Sequence, residues 1–240
     1  MCLIVVAHRV SESYPLVIAA NRDEDYERPT RPAHWWDDAP DVLGGRDLLH
    51  GGSWLALSRR GRVAAVTNVR GAIRSNENRS RGELVSGFVR GTDSPRGYVE
   101  HVERRKEQYA GFHLLAGEIG GELVLLSEAA SLLEPGVHGV SNAPAGVYWP
   151  KVEATMESMR GALQADGSEQ MAQQLLRVLH LSATHRDPTR DIFVTGQRYG
   201  TRSSTVIIAG PENILFVEQN YGRRGLPEGP PVQVSLVLQN

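Results

Sequence analysis

One cysteine, Cys2, is all that a chain of 240 residues carries. No internal disulfide can form, and no cluster of thiolates can hold a metal. Lysine is nearly absent as well: among 26 basic residues only Lys106 and Lys151 are lysines, a bias that carries no mechanism. Basic residues do not outnumber acidic ones, 26 against 28, for a net charge of -2. That balance excludes the positive surface on which nucleic-acid binding rests, so no nucleic-acid partner is expected. No apolar run approaches the about 18 residues needed to span a bilayer. The stretch from Cys2 to Ala7 is too short for a signal peptide and has no basic region ahead of it. The expectation is an unexported, cytoplasmic protein that is not an integral membrane protein. Also missing are the phosphate-binding G-x-x-x-x-G-K-[ST], the dinucleotide G-x-G-x-x-G, the zinc H-E-x-x-H, the haem-attaching C-x-x-C-H and the serine elbow G-x-S-x-G.

What is present is an ordinary globular composition, 40% hydrophobic and 22% charged. Short apolar runs at 2–8 and 15–20 read as paired strands. Residues 21–52, rich in Pro, Gly and Asp, read as a long irregular loop. Strands are expected at 53–58 and 63–68, helices at 81–90 and 95–109, a hairpin at 111–116 and 122–127, and a strand at 137–142. A helix from Pro150 presents Val152, Met156, Met159 and Leu163 on one face, and a helix at 167–179 presents Met171, Leu175 and Val178. Both stripes are read as core packing. Strands at 203–209, 214–219 and 231–238 finish the chain. Tight turns between neighbouring strands exclude a doubly wound parallel sheet. The expected class is α+β: one domain over 1–240, with two mainly antiparallel sheets and helices outside them.

Cys2 is the first candidate for chemistry. Its place directly after the initiator allows methionine removal, which would leave thiol and α-amine on one residue. That amine has a pKa of about 7.7–8.0 and can accept the thiol proton near neutrality. This is the logic of an N-terminal nucleophile. If Met1 persists, the base is missing and the thiol is blocked. Asp23 could orient the amine by a charged hydrogen bond. Asn68 ends a strand, where its amide could meet a developing oxyanion. Asn142 follows another strand, and Arg202 opens a third.

The strings VIAANRDEDYERPTRPAHWW, MCLIVVAHR, GGRDLLHGGSWLALSRRGRVAAVTNVRG, GVSNAPAGVYWPKV, and YGTRSSTVIIAG followed by LFVEQNY resemble the NRDE family, also called the Transport and Golgi organisation protein 2 family. The family is similar to the cysteine N-terminal-nucleophile hydrolases, bile salt hydrolase and penicillin V acylase among them. That resemblance implies a four-layer αββα sandwich. It implies Cys2 as nucleophile, Asp23 as holder of the amine, Asn68 as oxyanion-hole asparagine, Asn142 as the second active-site asparagine and Arg202 as a late arginine near the thiol. In one respect the sequence departs. Those hydrolases carry an arginine three residues before the aspartate, where this chain has Ala20. Arg22 is adjacent, and alternation in a strand points it away from Asp23's face.

Two functions follow as expectations. One is hydrolysis of a linear, non-peptide amide, with no cofactor required. The other is a non-catalytic binding or trafficking protein on the same fold. The resemblance to eukaryotic relatives implies haem or a lipid as its ligand, with Cys2, His34 or His50 among candidate iron ligands. In either case Asn21 and Arg22, together with Trp35, Trp36 and Trp54, are expected to contact the small-molecule ligand.

Overall fold

The computed structural model describes residues 2–72, 79–181 and 187–238. They form two compact units between which the chain crosses repeatedly. One comprises Met1–Arg28, Pro135–Ser141 and Val147–Val237; the other comprises Pro29–Glu134, Asn142–Gly146 and Leu238–Asn240.

The first unit is built on β1 (Leu3–His8), β2 (Leu16–Asp25), β10 (Gly136–Ser141), β11 (Tyr199–Ala209), β12 (Asn213–Asn220) and β13 (Val232–Val237). They form one antiparallel sheet in the order β10-β1-β2-β11-β12-β13. The β-branched run of β1 suits a pleated, buried strand. Helices α3 (Pro150–Ala162) and α4 (Ser168–Leu179) pack on one face. Leu3, Val5, Val17, Ala19, Val206 and Val217 meet Val152, Met159, Met171 and Leu175 there. Pro150 opens α3, a position where its fixed φ helps and its missing N–H costs nothing. The α3 stripe is as expected for Val152 and Met159, with Met156 and Leu163 packed at its edge. In α4 the last core residue is Leu179 rather than Val178.

The second unit holds β3 (Thr30–Trp36), β4 (Ala39–Asp47), β5 (Leu55–Ser58), β6 (Arg62–Asn68), β7 (Phe112–Glu118), β8 (Leu123–Leu126) and β9 (Ala130–Leu132). They pair antiparallel in sequence order. Helices α1 (Gly82–Arg90) and α2 (Pro95–Glu103) cover this sheet through Leu84, Val85, Phe88, Val99 and Val102. Ser94 caps α2, its side chain accepting from Gly97 N at 3.2 Å. The helix expected over 95–109 ends at Glu103, and a short 3-10 turn occupies Lys106–Gln108. Glu103 is held by Ala130 N, and Lys106 Nζ reaches Glu128 O, so tertiary contacts and not a breaker residue end the helix.

The irregular loop expected over 21–52 is not there. β2 runs on to Asp25, and β3 and β4 form a hairpin. Pro32 is tolerated because β3 is an edge strand, where a missing N–H leaves no ladder bond unmade. Gly45 is no loop signal either: a Cβ there would sit 2.1 Å from the Trp54 ring.

Arg62 anchors this unit. The residue is 5% exposed. Its Nε donates to Phe88 O at 3.1 Å, Nη2 to Asp93 O at 2.7 Å and Nη1 to Glu118 Oε1 at 2.7 Å. The guanidinium thereby satisfies a carbonyl at the C-terminal end of α1, while stacking 4.0 Å from the Phe88 ring centre. Arg62→Met keeps the stem and removes the donors. Urea unfolding should show a loss of about 2–3 kcal/mol, and a change within experimental error would contradict this role.

Candidate functional site

In the six-stranded sheet, alternation sorts side chains cleanly. Leu3, Val5, Val17, Ala19, Val206 and Val217 face α3 and α4. Asn21 and Ser204 belong to the same face, since Ser204 Oγ donates to Asn21 Oδ1 at 2.6 Å. Ile4, Ala20, Arg22, Thr205 and Glu218 therefore occupy the other face. On β1 and β2, Leu3 lies opposite Asn21 and Ile4 opposite Ala20. One step further in the same register brings Cys2 opposite Arg22. Arg22 in turn lies opposite Ser203, and Ser203 opposite Asn220. Cys2 is a half-buried free thiol.

A register shift between Thr201 and Ser203 marks a β-bulge in β11. Thr201 pairs with Asp23 and Ser204 with Asn21, both on the helix-facing side. Two residues, Arg202 and Ser203, stand between them instead of one. The bulge thus turns both away from the helices, onto the face of Arg22 and Cys2. Arg202 does not open its strand; β11 begins at Tyr199. Its Nη1 donates to Tyr26 O and, at 3.4 Å, to Asp25 O. Its Nε and the Ser203 hydroxyl are buried with no hydrogen-bond partner among the described residues. Arg22 is 7% exposed, with Nη2 3.7 Å from Glu24 Oε2.

Asp23 lies inside β2, not at its end, and is 3% exposed. Thr201 Oγ1 donates to its Oδ1 at 2.6 Å, and Tyr199 Oη donates to its main-chain O at 2.9 Å. Tyr199 keeps 41% of its surface exposed while its hydroxyl is engaged on Asp23. Burial of that hydroxyl pushes its pKa up, and the negative charges of Cys2 and Asp23 push the same way. Tyr26 is raised too, chiefly by burial.

Asn21 is corrected by the structure. Its Nδ2 donates to Leu179 O at 2.8 Å and to Ile192 O at 2.9 Å, and its Oδ1 accepts from Ser204. Both donors are spent on the fold, so none is left for a ligand. The residue clips β2 to the end of α4.

Asn68 and Asn142 come together within the second unit. Asn68 ends β6 opposite Phe112. Two residues on, Arg70 N donates to Asn142 O at 2.8 Å. Asn142 is 5% exposed, and its Oδ1 has no hydrogen-bond partner among the described residues. His113, beside them, was not singled out from the sequence. Its Nε2–H donates to Ala143 O at 2.8 Å, leaving Nδ1 to accept from Ser127 Oγ at 2.8 Å. Burial holds the His113 pKa below its ordinary 6.5. The unfolded chain then binds the proton more readily, so the contribution to stability is full above about pH 6.5 and fades as pH falls through the depressed value. His113→Gln should flatten the fall in Tm between about pH 7 and pH 5; an unchanged slope would contradict this.

Trp36 is a core side chain, 1% exposed, with Nε1 donating to Gly44 O at 2.9 Å. Arg59 lies 3.9 Å from the Trp35 ring centre, and the Trp54 ring lies against Gly45. His34 Nδ1 is 2.7 Å from Pro32 O, and His50 is exposed. Among the described residues no group of three or more His, Cys, Asp or Glu is placed to hold a metal ion, and no helix is long and apolar enough to cross a membrane. The question of Met1 lies outside the described residues.

Comparison with known proteins follows the same lines. The sequence model of the family described as Transport and Golgi organisation 2 matches residues 1–223. A Bos taurus Transport and Golgi organization protein 2 homolog is 32% identical, with 87% of each chain covered. The Homo sapiens homolog is 29% identical over the same shares. In fold, the chain resembles a Caenorhabditis elegans N-acylethanolamine-hydrolyzing acid amidase ortholog, at TM-score 0.52 and 12% identity, covering 87% of this chain and 92% of that one. It also resembles a variant of conjugated bile acid hydrolase from Clostridium perfringens, at TM-score 0.56 and 9% identity, covering 98% and 92%. The expected α+β class is borne out, with two antiparallel sheets and four α-helices among the described residues.

Proposed function

Since the chain belongs to the Transport and Golgi organisation 2 family, and its fold resembles those of an N-acylethanolamine-hydrolyzing acid amidase ortholog and a conjugated bile acid hydrolase, we propose that it is a cysteine amidohydrolase acting on a linear, non-peptide amide. The supporting observation is the register of β1 on β2. Continued one residue beyond the Leu3–Asn21 pair, it brings Cys2 opposite Arg22, with Asp23 the next residue along β2. Ala20 lies opposite Ile4, one step inside. The arginine missing from position 20 is therefore supplied two residues later on the same face of the same strand, level with the thiol.

With Met1 removed, the Cys2 α-amine takes the thiol proton and Asp23 stabilises the ammonium so formed. Sγ attacks the amide carbon. The carbon–nitrogen bond breaks as the ammonium returns its proton to the departing amine. Water then attacks the thioester, its proton passing to the α-amine and on to the thiolate. Arg22 stabilises the thiolate by charge. The sequence of steps needs no cofactor. A free thiol as nucleophile fits the reducing cytoplasm.

The test is a panel of N-acyl amides of graded chain length, with released amine measured for the native chain and for Cys2→Ala. Release that depends on Cys2 is the expected result. No Cys2-dependent release from any member contradicts the reading.

A further inference from the structure

Asp23 is controlled by a neighbour that the reaction scheme leaves unused. Thr201 is wholly buried, and its Oγ1 has two hydrogen-bond partners, Val194 N at 2.9 Å and Asp23 Oδ1 at 2.6 Å. The Val194 N–H can only donate, so Oγ1 accepts there. Its single proton then has one acceptor, Asp23 Oδ1. The main chain at Val194 thereby sets the direction of the hydroxyl, and the hydroxyl fixes where Asp23 Oδ1 sits. Tyr199 Oη fixes the peptide of the same residue from the same strand.

We propose that Thr201 is a positioning residue that holds the Asp23 carboxyl in one orientation, its Oδ1 accepting from the buried hydroxyl, for its work on the Cys2 α-amine. The inference rests on the amidohydrolase reading. The charged and titratable groups around Asp23 are Arg22 and Glu24 on its own strand, Tyr199 and Arg202 on β11, Tyr26 after β2, and Cys2 before β1. None of these shares the Thr201 hydroxyl. Nothing in the strings YGTRSS or NRDE marks this threonine beforehand; the β-bulge that follows it reveals its facing.

Because Cys2 is the sole cysteine, alkylation by iodoacetamide reports on that thiol alone. The full chain, with methionine removal verified by mass, is alkylated across a pH series. A well-held Asp23 keeps the α-ammonium in place, and the ammonium favours the thiolate. In Thr201→Val the carboxylate loses the hydrogen bond that orients it, the ammonium is lost at lower pH, and the alkylation midpoint should move up by about one pH unit. Thr201→Ser restores the hydroxyl and should keep the native midpoint. Asp23→Asn should move it as far as Thr201→Val, and the double variant no further. Thr201→Ala is read alongside, should the valine variant not fold. If Asp23→Asn moves the midpoint and folded Thr201→Val or Thr201→Ala does not, the positioning role is overturned while the amidohydrolase reading stands. If Asp23→Asn moves nothing, Asp23 does not serve the amine and both fall.

Discussion

Cys2→Ser is expected to lower amide cleavage by a factor on the order of 10³ or more, with the fold intact. The substitution changes one atom. A serine hydroxyl holds its proton far more tightly than a thiol, and an α-amine with a pKa of about 8 cannot remove it. Neither Arg22 charge nor Asp23 placement compensates, since both act on a thiolate and an ammonium that no longer form. Cys2 precedes β1 and is only half-buried, so the change in unfolding free energy should stay within about 0.5 kcal/mol. Released amine per unit time, measured beside a urea melt, separates the two effects. A serine variant that keeps a tenth of the native rate would mean that sulfur does not carry the reaction.

Asn21→Ala should show the opposite pattern, a large loss of stability. Removing the amide leaves Leu179 O, Ile192 O and the Ser204 hydroxyl without their partner inside the first unit. One of these is a C-terminal carbonyl of α4, which the helix itself cannot satisfy. The expected cost is about 2–4 kcal/mol by urea unfolding. Asn21→Asp should be at least as damaging at neutral pH, because a carboxylate would face two carbonyl oxygens. Lowering the pH protonates the carboxyl, restores one donor and should return part of the loss. A neutral effect of either substitution would contradict the clip.

These two neighbours show how far the candidate site could be read from the residues. Cys2 and Asp23 are candidates on residue type alone, since a thiol beside an α-amine and a carboxylate to hold that amine suit nucleophilic chemistry. Asn21, close to Asp23 in sequence, is expected to contact the ligand. Its real partners, Leu179 and Ile192, lie far along the chain, and no local pattern announces a carbonyl that needs a donor. Arg202 was recognised as a late arginine, but the bulge that turns it and Ser203 onto the Cys2 face leaves no periodic trace. The same contrast holds for the fold. The hairpins of β5 with β6 and β7 with β8 follow from alternation and turn residues. The hairpin of β3 with β4 was hidden because Pro32 and Gly45 suggest a loop until the edge position and the Trp54 ring are known. Val178 and Leu179 are equally apolar neighbours, and only the facing of α4 decides which is buried.

The most direct test of a sulfur nucleophile at the amino terminus is the intact mass of the purified chain, before and after brief exposure to an activated acyl donor at mildly acidic pH, where a thioester is stripped slowly. The proposal predicts a mass lacking the initiator methionine, then a gain of one acyl group that hydroxylamine removes and Cys2→Ala never acquires. A chain that keeps its methionine, or one that loses it and takes up no acyl group on Cys2, would contradict it.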